Sequence, residues 1–262
     1  MVRVAVSGSG QMGQMVLRAI EAEDGLQPVG VIEARAAAGE AAGAAGARYP
    51  MLPDAGALFA QTRPDVVVDF TNAAYTPTLV DAALTHGVRP VIGTSGIDDA
   101  TVARLRAGLA ERRLGGVIAP NFALGAVILM HFSKIASRFF DAAEIIELHH
   151  DRKVDAPSGT ALATARMMRE ARGRDFVHND PESTTIDHTR GGAVGGVAIH
   201  SVRLPGLVGH QEVIFGGTGQ TLVLRSDTIG RESYMPGVML ALHEVMKRDG
   251  LVIGLDSLIG LA

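Results

Sequence analysis

The sequence predicts an α/β domain with a parallel sheet, followed by an α+β domain with a mostly antiparallel sheet. Three observations carry this reading. In the first half, short continuous apolar runs alternate with helical stretches, as strands buried on both faces require. After Asn121 that rhythm stops. Three β-rich runs then follow one another across Gly and Pro turns, with no helix between them. The domains drawn from this pattern are 1–122 plus 233–262, and 123–232.

The elements can be justified in order. Residues 2–7 form an apolar strand, and 11–23 a helix with Met12, Val16, Leu17 and Ile20 at helical spacing. Residues 29–33 are a second strand. The Ala/Gly-rich stretch 34–47 has little pattern and is expected to be mostly loop. Residues 65–70, 89–93 and 116–119 are further strands. The helix through 78–85 is stopped by Gly87, and 98–113 is another helix. In the second domain 126–140 is an amphipathic helix, 144–150 a strand and 158–172 a helix. Residues 176–189 are polar and irregular, and 190–196, with four glycines, is expected to be a mobile loop in which Arg190 is within reach of a carboxylate. Strands follow at 198–204, 211–215 and 220–225. A helix at 234–248 and an apolar tail at 251–261 are expected to pack back on the first domain.

Composition removes several classes of function. The 262 residues carry 24 basic and 28 acidic side chains, a formal charge of −4, which lacks the positive excess that drives sequence-independent nucleic-acid binding. There is no Cys, hence no disulfide, thiolate metal site or Cys nucleophile. No apolar run is long enough to span a bilayer, and the chain enters a strand pattern at once, so a cytoplasmic protein without a signal peptide is expected. The scattered His178, His188, His200 and His210 have no metal-ligand spacing, and no metal is expected. Only Lys134, Lys153 and Lys247 are lysines; every other basic residue is Arg. That bias directs attention to wherever a Lys has been kept.

The strongest motif of the first half is Gly8-Ser9-Gly10-Gln11-Met12-Gly13, a G-x-G-x-x-G run directly after a strand and opening a helix. Glycines there permit a tight turn and a close approach of pyrophosphate to a helix N-terminus. Glu33, at the end of the second strand, can accept hydrogen bonds from an adenosine ribose. The α/β domain is therefore read as a Rossmann-type dinucleotide-binding domain. Arg35 can pair with a 2′-phosphate that Glu33 would repel, so the cofactor is NADH or NADPH, with a lean to NADH or dual use. Gly93-Thr94-Ser95 and Ala119-Pro120-Asn121-Phe122 end later strands, where an open parallel sheet binds its ligands; taken alone they equally fit ordinary strand-to-helix turns.

The most informative segment runs from Glu147 to Thr160. A strand ends at His149-His150, a loop with Arg152 and Lys153 follows, and Pro157-Ser158-Gly159-Thr160 starts a helix with Ser158 as N-cap. Free N–H groups at Gly159 and Thr160 favour a bound carboxylate, and a histidine nearby is the usual proton donor near neutral pH. A capped helix after a solvated polar loop accounts for the same residues. Adjacent strand residues point to opposite faces, so both histidines serve one site only where the strand frays.

With these motifs in hand, the chain resembles the dihydrodipicolinate reductase family. The resemblance covers nearly the whole sequence: the opening Gly-rich run, Asp69-Phe70-Thr71, Gly93-Thr94-Ser95-Gly96, Ala119 to Phe122, His149-His150 through Lys153 to Thr160, and Gly209-His210-Gln211-Glu212. It implies reduction of a hydroxylated cyclic imine dicarboxylate to tetrahydrodipicolinate, with loss of water, in lysine and diaminopimelate biosynthesis. It implies His149 as proton donor and Lys153 as catalytic lysine, with the dicarboxylate held at His150, Ser158, Gly159 and Thr160. The cofactor contacts are Gly8 to Gly13, Glu33, Arg35, Gly93 to Ser95 and Ala119 to Phe122. A homotetramer assembled through the second-domain sheets, and a hinge that excludes water on closure, are further expectations. Ala34 stands where family members that bind NADPH well carry Arg. Two alternatives stay open: another Rossmann dehydrogenase, which should lack the Lys153–Thr160 stretch, and a non-catalytic nucleotide sensor.

Overall fold

A computed structural model describes residues 1–261. It divides into two compact units, one of Met1–Leu124 with the segment from Arg231 onward, the other Gly125–Gly230.

The first unit is built on an eight-stranded sheet. In chain order its elements are β1 (Val2–Ser7), α1 (Gln11–Ala22), β2 (Leu26–Ile32), β3 (Gly39–Ala42), β4 (Arg48–Leu52), α2 (Ala55–Thr62), β5 (Val66–Asp69), α3 (Thr76–His86), β6 (Arg89–Ile92), α4 (Asp99–Arg112) and β7 (Gly115–Ile118). The strand order is β13-β7-β6-β5-β1-β2-β4-β3, where β13 (Gly250–Ile253) is the chain's own tail, pairing parallel with β7. Every pairing is parallel except β3 with β4. Both faces are buried. Ile32, Leu58, Phe59, Val67 and Leu79 belong to one core cluster, and Val80, Leu84, Ile92, Leu105 and Leu109 to another. The chain winds outward from β1 to β2, then resumes on the other side of β1 at β5. That reversal leaves a crevice at the carboxyl ends of the central strands, where such sheets bind ligands.

In three places the structure departs from expectation. The stretch 34–47 is not mostly loop: it holds β3, which with the unforeseen β4 and α2 extends the sheet beyond β2. Its Ala and Gly side chains give no hydrophobic rhythm, so pairing with β4, the next strand in the chain, decides its structure. Residues 190–196 are not simply a mobile loop either. They contain β9 (Gly192–Val194), antiparallel to β10 (Val197–Arg203), and Arg190 donates to Glu144 of its own chain. The last helix is shorter than expected. It is α7 (Met235–Val245), so Lys247 lies beyond its end, paired with Glu244.

The second unit comprises α5 (Leu124–Ala136), β8 (Ala142–His149), α6 (Gly159–Arg172), β9, β10 (Val197–Arg203), β11 (Gly209–Gly217) and β12 (Gln220–Thr228). Its sheet has the order β12-β11-β8-β10-β9, antiparallel throughout except for β8 beside β10. Leu129 of α5 and Ala161, Ala165 and Met168 of α6 share a core with Ala143, Ile145, Val213 and Phe215 from one sheet face. By the alternation of a strand, Glu147 and His149 extend that inward row to the end of β8, while Glu144, Ile146 and Leu148 lie on the opposite face.

Candidate active site

In the first unit, β1 ends at Ser7 and the chain turns through Gly8, whose φ of +98° favours glycine. A Cβ on Gly13 would stand 1.9 Å from the Gly8 carbonyl oxygen, so α1 can begin this close to the turn only with glycine there. A Cβ on Gly10 would meet nothing within 4 Å, which leaves open space over the helix start. The first turn of α1 carries no acidic side chain, and the N–H groups of Gln11, Met12 and Gly13 find no partner among the described residues. That is the cradle a pyrophosphate needs. These residues fit a dinucleotide.

Glu33 stands just past β2 and faces this turn. Its Oε2 accepts from the Ser9 backbone N–H at 2.9 Å and from the Ser9 hydroxyl at 2.7 Å, and its Oε1 from the Arg35 N–H at 3.3 Å. The Ser9 bonds, with Arg35 nearby, hold the Glu33 carboxyl below its ordinary range, so it is anionic at neutral pH. Arg35 itself is exposed.

At the ends of β5, β6 and β7 the expected residues divide into roles. Thr94 donates its hydroxyl to buried Asp69 at 3.0 Å, alongside Thr71 at 2.6 Å and Thr76 at 2.7 Å. Thr94 therefore pins its loop to β5. Gly93 makes room for the Phe70 ring, which a Cβ would approach to 2.1 Å, and Phe70 packs edge-on against buried Phe122. Asn121 Oδ1 accepts from Ala123 N–H at 2.9 Å and shapes its turn. Ser95 and Pro120 are exposed at this rim, and Ala119 is buried behind them. Sequence reasoning missed Arg231, which donates to the Gln11 side chain at the start of α1.

In the second unit, His149 is the last residue of β8. Its Nδ1 meets Glu147 Oε2, and Glu147 is wholly buried. Arg203 of β10 forks onto both carboxylate oxygens, at 3.0 and 2.7 Å, and Ser158 N–H lies 3.3 Å from Oε1. Burial pushes the Glu147 carboxyl up, but bonds from Arg203, Ser201 and His149 outweigh it and the net direction is down. Burial pushes His149 down. Glu147 opposes and the Lys153 and Arg203 charges assist, so the net direction is again down. The free protein thus carries a neutral imidazole beside a carboxylate.

The His149 ring lies next to Gly209 of β11, where a Cβ would be 3.6 Å from Nε2. Beyond β8 the strand does break, and His150 accepts the Lys153 N–H at its carbonyl, 3.2 Å away, in a turn. The Lys153 ammonium donates to Asp155 at 2.7 Å. Ser158 is buried and caps α6 through Ala161 N–H at 3.2 Å, so its oxygen is committed to the cap. Gly159 and Thr160 follow with N–H groups that have no partner among the described residues, and the space over Gly159 is open. The structure thus gathers His149, Lys153 and the α6 N-terminus around Glu147. No group of residues able to hold a metal ion occurs among the described residues.

A dinucleotide cradle in one unit, and in the other a carboxylate-bound histidine beside a cationic loop and a bare helix start, define a nicotinamide-dependent oxidoreductase of the Rossmann type. Comparison with known proteins agrees. Residues 2–122 match the family described as "Dihydrodipicolinate reductase, N-terminus", and 125–259 the one described as "Dihydrodipicolinate reductase, C-terminus". The chain belongs to the dihydrodipicolinate reductase family. It is 46% identical over 262 residues to a 4-hydroxy-tetrahydrodipicolinate reductase of Dehalococcoides mccartyi, covering 99% of each chain. It is 43% identical to that of Geobacillus kaustophilus, covering 98% of this chain and 99% of the relative. A dipicolinate-bound dihydrodipicolinate reductase from a Paenisporosarcina species superimposes with TM-score 0.89 at 38% identity, over 98% of this chain and 99% of the other. An amine dehydrogenase from Mycobacterium smegmatis, at 15% identity and TM-score 0.65, shares the fold alone.

Proposed function

We propose that the chain reduces 4-hydroxy-tetrahydrodipicolinate to tetrahydrodipicolinate with loss of water, and that His149 and Lys153 carry the chemistry of its second unit. The observation that supports this most is the pair of free N–H groups at Gly159 and Thr160, beside Lys153 and a histidine whose Nδ1 is already engaged. A helix N-terminus with a neighbouring ammonium takes one carboxylate of a dicarboxylate, with His150 a further donor. A solved relative is described as dipicolinate-bound, which fits a ligand of this class.

When bound, the reduced nicotinamide supplies the hydride. The Gly8–Gly13 turn holds its pyrophosphate and Glu33 its adenosine ribose. The chain's own residues deal with charge and protons. Two substrate carboxylates near His149 favour the imidazolium, which is disfavoured in the free protein, so the ring takes up a proton as the dianion binds. It then delivers that proton from Nε2 as electron density builds on the ring. Lys153, released from Asp155, stabilises a carboxylate and the developing charge with a compact ammonium. Glu33, anionic and tied to Ser9, supports NADH over NADPH, because a 2′-phosphate would lie against a fixed negative charge.

A cytoplasmic enzyme and a homotetramer belong to the same reading. No helix among the described residues is long and apolar enough to cross a membrane. The uncovered face of the second sheet offers Ile146, Leu148 and half-exposed Val223 to other copies. Turnover of freshly generated substrate with NADH and NADPH in parallel tests the activity. Sedimentation of the purified protein tests the tetramer.

A further inference from the structure

We propose that Glu147 is the positioning residue of His149. Clamped by Arg203, it receives the Nδ1 hydrogen of the neutral ring and so leaves Nε2 as the end that exchanges protons. This rests on the role proposed for His149 above and adds what sets that role.

The case is geometric. Glu147 and His149 are two residues apart on one strand, so both side chains leave the inward face near the helix start at Ser158. Glu147 is 0% exposed, a place where a carboxylate persists only if fully partnered. Arg203 supplies the partner with a two-pronged fork, the geometry that holds a carboxylate plane rigidly. The same guanidinium bonds the Asp155 carbonyl at 2.8 Å, tying the loop that carries Lys153 to this strand. An anionic carboxylate only accepts, so a neutral His149 must present N–H at Nδ1. The ring's other edge lies beside Gly209, where a Cβ would stand 3.6 Å from Nε2.

The charges facing His149 are Glu147 on its own strand, Arg203 on β10 and Lys153 on the following loop. From β11 it meets uncharged Gly209, whose register partner on β12 is uncharged Thr228. Glu147 favours the imidazolium, and Lys153 and Arg203 oppose it. The ring is therefore oriented by a carboxylate without being locked as a cation, as a group that must gain and lose a proton requires.

Nitrogen-15 NMR of the histidine-labelled full chain, with the His149 signal assigned by its loss in His149→Asn, tests the inference. The wild-type neutral ring is expected to carry its hydrogen on Nδ1. In Glu147→Gln, Arg203 takes the single amide oxygen and the amide N–H₂ faces Nδ1, so the hydrogen moves to Nε2. The protonation midpoint should then fall by roughly one pH unit. Turnover should fall about 10- to 100-fold, with KM for both substrates changed less than about threefold. Glu147→Asp keeps the charge for Arg203 but withdraws the acceptor, and should lose turnover with its melting temperature largely kept. A wild-type ring with its hydrogen on Nε2, or an unchanged tautomer and midpoint in Glu147→Gln, would overturn the assignment of Glu147. The NMR readings involve no turnover, so they decide this point separately from the role of His149 in the reaction.

Discussion

Ser9 and Glu33, at the ends of two neighbouring parallel strands, are joined by two hydrogen bonds: the Ser9 backbone N–H and hydroxyl both donate to one Glu33 oxygen, at 2.9 and 2.7 Å. The carboxylate proposed to meet the ribose is thereby fixed against the Gly-rich turn at the start of α1. Two unit charges about 4 Å apart repel by ~1–4 kcal/mol, depending on solvent screening. The wild type should accordingly favour NADH over NADPH in kcat/KM by at least about tenfold. Glu33→Gln should remove most of that preference, and equal ratios in the two proteins would show that Glu33 does not select the cofactor.

Gly10 and Gly13 should separate binding from folding. Gly13→Ala drives a Cβ into the Gly8 carbonyl and should cost about 1–3 kcal/mol of stability as well as cofactor binding. Gly10→Ala meets no protein atom within 4 Å. It should keep the wild-type melting temperature and lose NADH affinity, since its methyl fills the space through which the pyrophosphate approaches. Thermal melts with and without NADH distinguish the two.

Lys153→Ala should lower kcat by about 100-fold or more, the scale of losing one preorganised electrostatic donor. The circular-dichroism spectrum should not change, because among the described residues the lysine's side chain bonds only half-exposed Asp155. Lys153→Arg should rescue little, since the planar fork is bulkier and spreads its charge over more atoms than a compact ammonium. Near-normal turnover in Lys153→Ala would remove it from the chemistry.

Acid should destabilise the fold through β8. His149 has its folded value depressed below the ordinary 6.5, and Glu147 below 4.5. In each case the unfolded chain binds the proton more readily. Stability is then full above the unfolded value and is lost as pH falls toward the folded one. The melting temperature should decline from about pH 6.5 downward, more shallowly in His149→Asn. A wild-type melt that stays flat from pH 7 to 4.5 would contradict the direction given for His149, and one that stays flat below 4.5 would contradict that for Glu147.

Much of this was legible in the sequence because strong local patterns coincide with the site. The Gly-rich turn, Ser158 as a helix cap, and Gly87 as a helix stop are all signals that act within a few residues. The outer strands β3 and β4 were not legible, since Ala41 and Pro50 carry no β signature and owe their place to cross-strand pairing, Ala41 with Tyr49 and Pro50 with Glu40. Nor were Glu147 and Arg203, 56 residues apart. One signal was present: a glutamate at the inward position of the alternation Ala143, Ile145, Glu147, His149, where an apolar residue belongs.

The most direct measurement follows the absorbance of reduced nicotinamide when the purified chain is mixed with freshly generated 4-hydroxy-tetrahydrodipicolinate. A fall that requires both components, faster with NADH than with NADPH and abolished in Lys153→Ala, is expected. No fall with either cofactor would contradict the assignment of this chain as a working reductase.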